Sequence, residues 1–125
     1  MMDAVTAVSG SGPAYYFLFT YLLAKAAEAS GLQEGLALKL VKATFIGAAE
    51  VIKSKNLYME ELVKKVASKG GTTEAALKVF EQKKLGAIIK KAVKHAARRS
   101  KQLYTTDIVG CVKLFGVKRE GRCRK

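Results

Sequence analysis

Pro13-Ala14-Tyr15-Tyr16-Phe17-Leu18-Phe19-Thr20-Tyr21-Leu22-Leu23 is the stretch that decides the fold. Proline at a first helical position costs nothing, because its missing N–H would be unsatisfied there anyway. Gly12 or Ser11 is the expected cap. From Ala14 to Ser30 neither proline nor glycine interrupts the run. Tyr15, Tyr16, Phe17, Leu18, Phe19, Tyr21, Leu22 and Leu23 fall nearly all round a 3.6-residue helix. A helix without a polar face is buried on every side. A chain of 125 residues supports one domain or one oligomerising unit. Such a chain cannot wrap this helix alone, so the pattern predicts a second subunit that covers it.

Further helical signals follow. Gly31 is placed to stop the first long helix. Helical spacing predicts a second helix over Gln33–Lys53, with Leu36, Leu40, Val41, Ala43, Thr44, Gly47, Ala48 and Val51 on its apolar side. Gly47-Ala48-Ala49 gives it a thin patch where another helix can approach closely. Asn56-Leu57-Tyr58 reads as a turn. A short helix over Met59–Ala67 turns Leu62, Val63 and Val66 inward. Another covers Thr73–Gln82, and the last covers Leu85–Leu103. In the last, Leu85, Ile88, Ile89, Ala92, Val93 and Ala96 face in, while Lys90, Lys91, Lys94, Arg98, Arg99 and Lys101 face out. The expected class is all-α, a bundle of about five helices. At the other end, Asp3–Val8 is an apolar strip that ends a helix, broken by Gly10 and Gly12. Tyr104–Lys125 changes character and reads as a basic, poorly ordered tail, with a strand-like option at Asp107–Val112.

Composition narrows the function classes. A single proline and no tryptophan fit long helices. The apolar run at Ala14–Leu23 is half the length needed to cross a bilayer, and no basic leader precedes it. Cys111 and Cys123 form no Cys-x-x-Cys, and with one histidine they cannot complete a zinc site. The expectation is a reducing, cytoplasmic setting, no metal and no membrane. The net charge of +13 admits an anionic partner. A nucleic acid is the least favoured one, because the bases run along the whole chain and no helix-turn-helix or aromatic platform emerges.

Two strings place small hydroxyl residues and glycines directly before helices: Ser9-Gly10-Ser11-Gly12-Pro13-Ala14 and Ser68-Lys69-Gly70-Gly71-Thr72-Thr73. Helix starts of this kind offer free backbone N–H groups to an anion. The first string reads mainly as a structural turn. For the second, the residues alone leave two readings open. It is either an anion cradle or an ordinary cap in which Thr72 or Thr73 bonds the N–H groups of its own first turn. His95, the only histidine, falls on a lysine-rich helix face and reads as a surface or interface residue. Glu60 and Glu61 complement the dipole at a helix start. No Ser–His–carboxylate set or carboxylate pair emerges.

Four motifs in order then carry a family resemblance. They are Asp3-Ala4-Val5-Thr6-Ala7-Val8-Ser9-Gly10-Ser11-Gly12-Pro13-Ala14-Tyr15; Gly31-Leu32 followed by the helix with Gly47-Ala48-Ala49; Val66-Ala67-Ser68-Lys69-Gly70-Gly71-Thr72-Thr73 running into Ala75-Ala76-Leu77; and Ala96-Ala97-Arg98-Arg99-Ser100-Lys101-Gln102-Leu103. Together, over about Asp3–Leu103, they resemble the C-terminal dimerisation domain of pyrroline-5-carboxylate reductases. That resemblance implies an interlocked helical homodimer of the 6-phosphogluconate dehydrogenase C-terminal-like type, with the option of further assembly. It implies a division into a helical dimerisation and substrate domain, 1–103, and a tail, 104–125, unlike the family. The implied reaction is NAD(P)H-dependent reduction of 1-pyrroline-5-carboxylate to proline. The implied ligand is an imine carboxylate or proline.

By the same resemblance, Ser68, Gly70, Gly71, Thr72 and Thr73 form the substrate-carboxylate clamp. Thr6 matches the catalytic position that hydrogen-bonds the substrate nitrogen. A threonine hydroxyl is a weak acid, so Thr6 relays or orients only in a closed site; its competing role is a plain bond to a helix carbonyl. Lys69 departs from the family, where proline is usual. The dinucleotide fingerprint Gly-x-Gly-x-x-Gly is absent. The chain alone is therefore expected to bind no cofactor and to be inactive, a dimerising half of the enzyme. A purely structural dimerisation module is the alternative.

Overall fold

The computed structural model describes the backbone of residues 2–115 and the side chains of residues 2–103, and among these the secondary structure is all helical. The elements are α1 (Met2–Val5), a π-helical turn (Thr6–Gly10), α2 (Gly12–Ala29), α3 (Glu34–Ser54), α4 (Met59–Val66), α5 (Thr72–Gln82) and α6 (Leu85–Phe115). The chain divides into two compact units. One is residues 12–88. The other joins residues 1–11 to residues 89–125.

In the first unit, α2 and α3 pack as a helical hairpin. Gly31 turns the chain with φ at 101°. The Leu32 N–H donates to the Ala27 carbonyl at 3.1 Å and the Gly31 N–H to the Glu28 carbonyl at 2.9 Å. That pair of bonds closes the helix end in the way only a left-handed residue allows. Small residues line the packed faces: Ala24 on α2, and Ala37 and Val41 on α3, are buried. Tyr16 and Phe45 add a tilted ring contact with centroids 5.6 Å apart.

The second unit starts from α1 and the π-helical turn. The wider turn has a visible cause: the Ser11 N–H donates to the Thr6 carbonyl, five residues back, at 3.0 Å. The strip Asp3–Val8 is thus helical but not uniformly α. Ser9 and Gly10 lie inside the turn rather than in an open loop, and Ser11 itself keeps helical dihedrals. The first hydroxyl–glycine string therefore offers no free loop for an anion. The unit is tied across the sequence by Ser100, whose buried hydroxyl donates to Asp3 Oδ1 at 3.0 Å.

Two expectations change. The last helix does not stop at Leu103; its backbone continues to Phe115, so the strand-like option at Asp107–Val112 is helix instead. Residues 116–125 of the expected tail lie outside the described residues. The second change concerns burial. Residues expected to face inward are largely open: Leu36, Leu40, Val51, Val63, Val66, Ile88 and Ile89 are all more than two-fifths exposed. Among the described residues the buried apolar set is Ala7, Ala24, Ala37 and Val41. The helical periods are as read, but one copy of this chain has too few layers to cover them.

The eight large apolar residues of α2, Tyr15 to Leu23, are 38% to 69% exposed. Soluble monomers rarely leave a contiguous apolar surface of that extent.

Candidate functional site

The Ser68–Thr73 loop is built by the end of α4 and the start of α5. α4 ends at Ala67, whose N–H still donates to the Val63 carbonyl at 3.0 Å. The chain then reverses sharply. The Ser68 N–H reaches back to the Val66 carbonyl at 3.2 Å, and the Gly71 N–H to the Ser68 carbonyl at 3.0 Å. Gly70 sits between them with φ at 74°, a conformation that side chains disfavour. Gly71 needs to be glycine for a different reason. A Cβ there would lie 2.5 Å from Ser68 Oγ and 3.0 Å from the Ser68 carbonyl oxygen. The two glycines thus do separate work: one bends the chain, the other admits Ser68 against it.

Gly71 is the cap residue of α5, in extended conformation and without a side chain to cap with. Its carbonyl accepts the Ala75 N–H at 3.2 Å. The N–H groups of the first helical residues, Thr72 and Thr73, are donors that a helix leaves without an internal partner. No hydrogen bond of the Ser68, Thr72 or Thr73 hydroxyls is present among the described residues. Ser68 and Thr72 are exposed, while Gly71 and Thr73 are half-buried.

Glu74 lies in the first turn of α5, where a carboxylate complements the helix dipole. It does more. Its Oε2 accepts the Gly70 N–H at 2.5 Å, and its Oε1 meets Lys78 Nζ at 3.1 Å. The Gly70 bond first, and the Lys78 contact second, hold its carboxyl below the usual glutamate value. The signal was legible as a glutamate in the third helical position, which commonly reaches back to an N–H at the cap. Gly70 therefore contributes its bend to the loop, while its N–H is already engaged.

Beneath the loop lies an open apolar groove of about 530 Å³, lined by the end of α3, by α4 and by α5. Val51, Leu62, Val66 and Leu77 form its walls, and Thr73 borders it. One side of Thr73 is thus apolar.

Thr6 belongs to the other unit. It is exposed, and its hydroxyl donates to the Met2 carbonyl at 3.2 Å, four residues back. That is the helix-carbonyl bond weighed against the catalytic role. Among the described residues no cluster of His, Cys, Asp and Glu is arranged to hold a metal, and no helix is long and apolar enough to cross a membrane. His95 is exposed.

This geometry has known counterparts. The family model for pyrroline-5-carboxylate reductase dimerisation matches residues 1–103. A pyrroline-5-carboxylate reductase of Pseudomonas aeruginosa is 43% identical over 102 residues, covering 82% of this chain and 37% of the relative. One from Arabidopsis thaliana is 43% identical over 103 residues, again 82% of this chain and 37% of the relative. Among solved structures, the Coxiella burnetii pyrroline-5-carboxylate reductase superposes with a TM-score of 0.78 at 40% identity, covering 81% of this chain and 37% of that one. The Plasmodium falciparum pyrroline carboxylate reductase, solved with NADP bound, gives 0.77 at 35% identity, covering 81% and 38%. The chain thus spans well under half the length of the relatives it matches.

Proposed function

The chain belongs to the pyrroline-5-carboxylate reductase dimerisation family, and from that premise we propose that it is the dimerising, substrate-carboxylate-binding part of such a reductase. Its partner is a second copy of itself, interlocked through α2. The observation that carries this reading is the open apolar surface of α2, 38% to 69% exposed residue by residue, where the buried apolar set among the described residues is three alanines and a valine. A homodimer resolves that imbalance by giving each α2 a second wall.

The substrate of the proposed reaction is a cyclic imine bearing a carboxylate. The Ser68–Thr73 loop suits the carboxylate. The Thr72 and Thr73 N–H groups sit at the positive end of α5, Ser68 and Thr72 add hydroxyl donors, and Gly71 lets the ligand approach the backbone. Lys69, where the family usually has proline, adds a positive charge beside the anion. In a full reductase, a nicotinamide cofactor bound by the part that this chain does not match would supply the hydride for the imine carbon. Thr6 is the residue assigned to the ring nitrogen. In that role its hydroxyl turns from the Met2 carbonyl to the substrate, a small rearrangement at the mouth of a π-helical turn, a feature that often marks working sites. The chain on its own is expected to be inactive.

Two measurements test the reading. Sedimentation should give a dimer or larger at micromolar concentration; a folded monomer rejects the interlocked model. Titration with proline should shift the amide signals of Ser68–Thr73; unshifted signals at saturation reject the clamp and leave a purely structural dimerisation module.

A further inference from the structure

The Ser68–Thr73 loop has little to hold its shape. It contains two glycines and no proline, and glycine loses more backbone freedom on ordering than any other residue. Its turn bonds run from the Ser68 N–H to the Val66 carbonyl and from the Gly71 N–H to the Ser68 carbonyl. Ser68, Lys69, Gly70 and Thr72 are exposed, and of the six loop residues Thr73 alone borders the apolar groove. The bond from the Gly70 N–H to Glu74 Oε2, 2.5 Å long, is therefore a large share of what fixes the loop. Its acceptor is ionised, and such bonds are shorter and stronger than neutral ones. It grips the chain at the residue whose φ is 74°. The other oxygen of Glu74 meets Lys78 Nζ at 3.1 Å, one turn further along α5. A glutamate four residues before a lysine is the favourable order on a helix. Lys78 thus steadies Glu74 from behind, and Glu74 holds Gly70 in front.

We propose that Glu74 is a positioning residue of the carboxylate clamp, keeping the Ser68–Thr73 loop in its binding shape through the Gly70 N–H without touching the ligand. The inference rests on the carboxylate-clamp reading and goes beyond it by naming what holds the clamp ready. An ionised carboxylate accepts hydrogen bonds and donates none, so Glu74 offers a ligand carboxylate nothing to bind. The donors left for the ligand lie elsewhere. The Thr72 and Thr73 N–H groups have no partner among the described residues, whereas those of Gly70 and Gly71 are engaged in shaping the loop. A loop already held in place has less to order when its ligand arrives, and affinity rises accordingly. The depressed acid constant of Glu74, caused first by the Gly70 bond and second by Lys78, agrees with a carboxylate held in its ionised form.

The test uses the full chain, with proline as the probe and amide NMR as the readout. In Glu74→Ala the Gly70 amide should exchange about tenfold faster, and the dissociation constant for proline should rise about tenfold, the effect of losing one charge-assisted bond and the order it imposes. Glu74→Gln keeps an oxygen for the Gly70 N–H while removing the charge, and should hold the dissociation constant within about threefold of wild type. That split separates a tether from a charge at the helix start, because a charge effect would weaken both variants alike. Sedimentation and circular dichroism should match wild type throughout. Should Glu74→Ala fail to fold, Lys78→Met must instead shift the Gly70 amide signal and weaken proline binding about threefold. The proposal is overturned by a Glu74→Ala chain that binds proline as tightly as wild type, by one that binds it more tightly, which would make Glu74 a competitor for the same donors, by equal losses in the alanine and glutamine variants, or by an unmoved Gly70 amide signal in Lys78→Met. A wild-type loop that does not respond to proline overturns the clamp reading and this inference together. A wild-type response with an unchanged alanine variant overturns this inference alone.

Discussion

Leu22→Asp should separate the proposed dimer into single chains. Leu22 lies mid-way along α2 and is 54% exposed in one copy. Full burial of a leucine is worth about 1.5–3 kcal/mol, so covering the exposed half contributes about 1 kcal/mol per protomer. A twofold dimer contains the residue twice, so trimming it to alanine costs about 2 kcal/mol, or about a 30-fold weaker dissociation constant. Aspartate adds a much larger cost. A carboxylate pressed into an apolar contact without a cation costs several kcal/mol in each copy. Across both copies the dissociation constant should rise by a factor on the order of ten thousand or more. Sedimentation velocity over about 1–100 μM reads this directly. The wild-type chain should hold its associated coefficient through the series, Leu22→Ala should fall within the range, and Leu22→Asp should stay monomeric. If Leu22→Asp associates like the wild type at about 10 μM, α2 is not the interface and the reasoning fails.

Other expectations are more local. Gly71→Val should abolish proline-induced amide shifts in the loop while leaving sedimentation unchanged, since its side chain collides with Ser68 rather than with a residue of α2; a variant that binds proline normally counts against the clamp. Glu74 has its folded-state acid constant depressed, so its contribution to stability is present above its ordinary value of 4.5 and is lost as the pH falls through the lower folded value. Carbon-detected titration of Glu74 should give a midpoint below 4.5, with the Gly70 amide signal moving in step; a normal midpoint removes the contact. Ser100→Ala deletes the bond to Asp3 and should cost about 1 kcal/mol. The loss should appear as faster amide exchange in residues 3–11, and unchanged exchange would mean that the bond holds nothing in place.

Much of this architecture could be read directly. The helix spans follow from 3.6-residue periods and from stops such as Gly31, because those signals are local. The all-round apolar α2 pointed to cover from outside one copy's own helices, and its large apolar residues are indeed left open by them. Three things escaped. The π-helical turn at Thr6–Gly10 depends on one carbonyl accepting from five residues on instead of four, and apolar spacing over five residues does not encode that choice. The Glu74–Gly70 bond is not legible in the sequence, because only the bend at Gly70 aims that residue's N–H at the carboxylate. The continuation of α6 to Phe115 was masked by Gly110, which lowers helix propensity by about 1 kcal/mol without ending a helix already under way. Of the candidate site, the loop's compact shape was legible from Gly70-Gly71. Which of its donors are already engaged was not, since that depends on a side chain four residues downstream.

The three alanines and one valine that make up the buried apolar set among the described residues have a thermodynamic corollary. If each copy finds its interior only by meeting the other, heat resistance becomes a bimolecular property. Melting should then shift downward on dilution, with each tenfold step removing about 1.4 kcal/mol per mole of dimer. In a cell, the abundance of the chain would decide how much of it is folded at all.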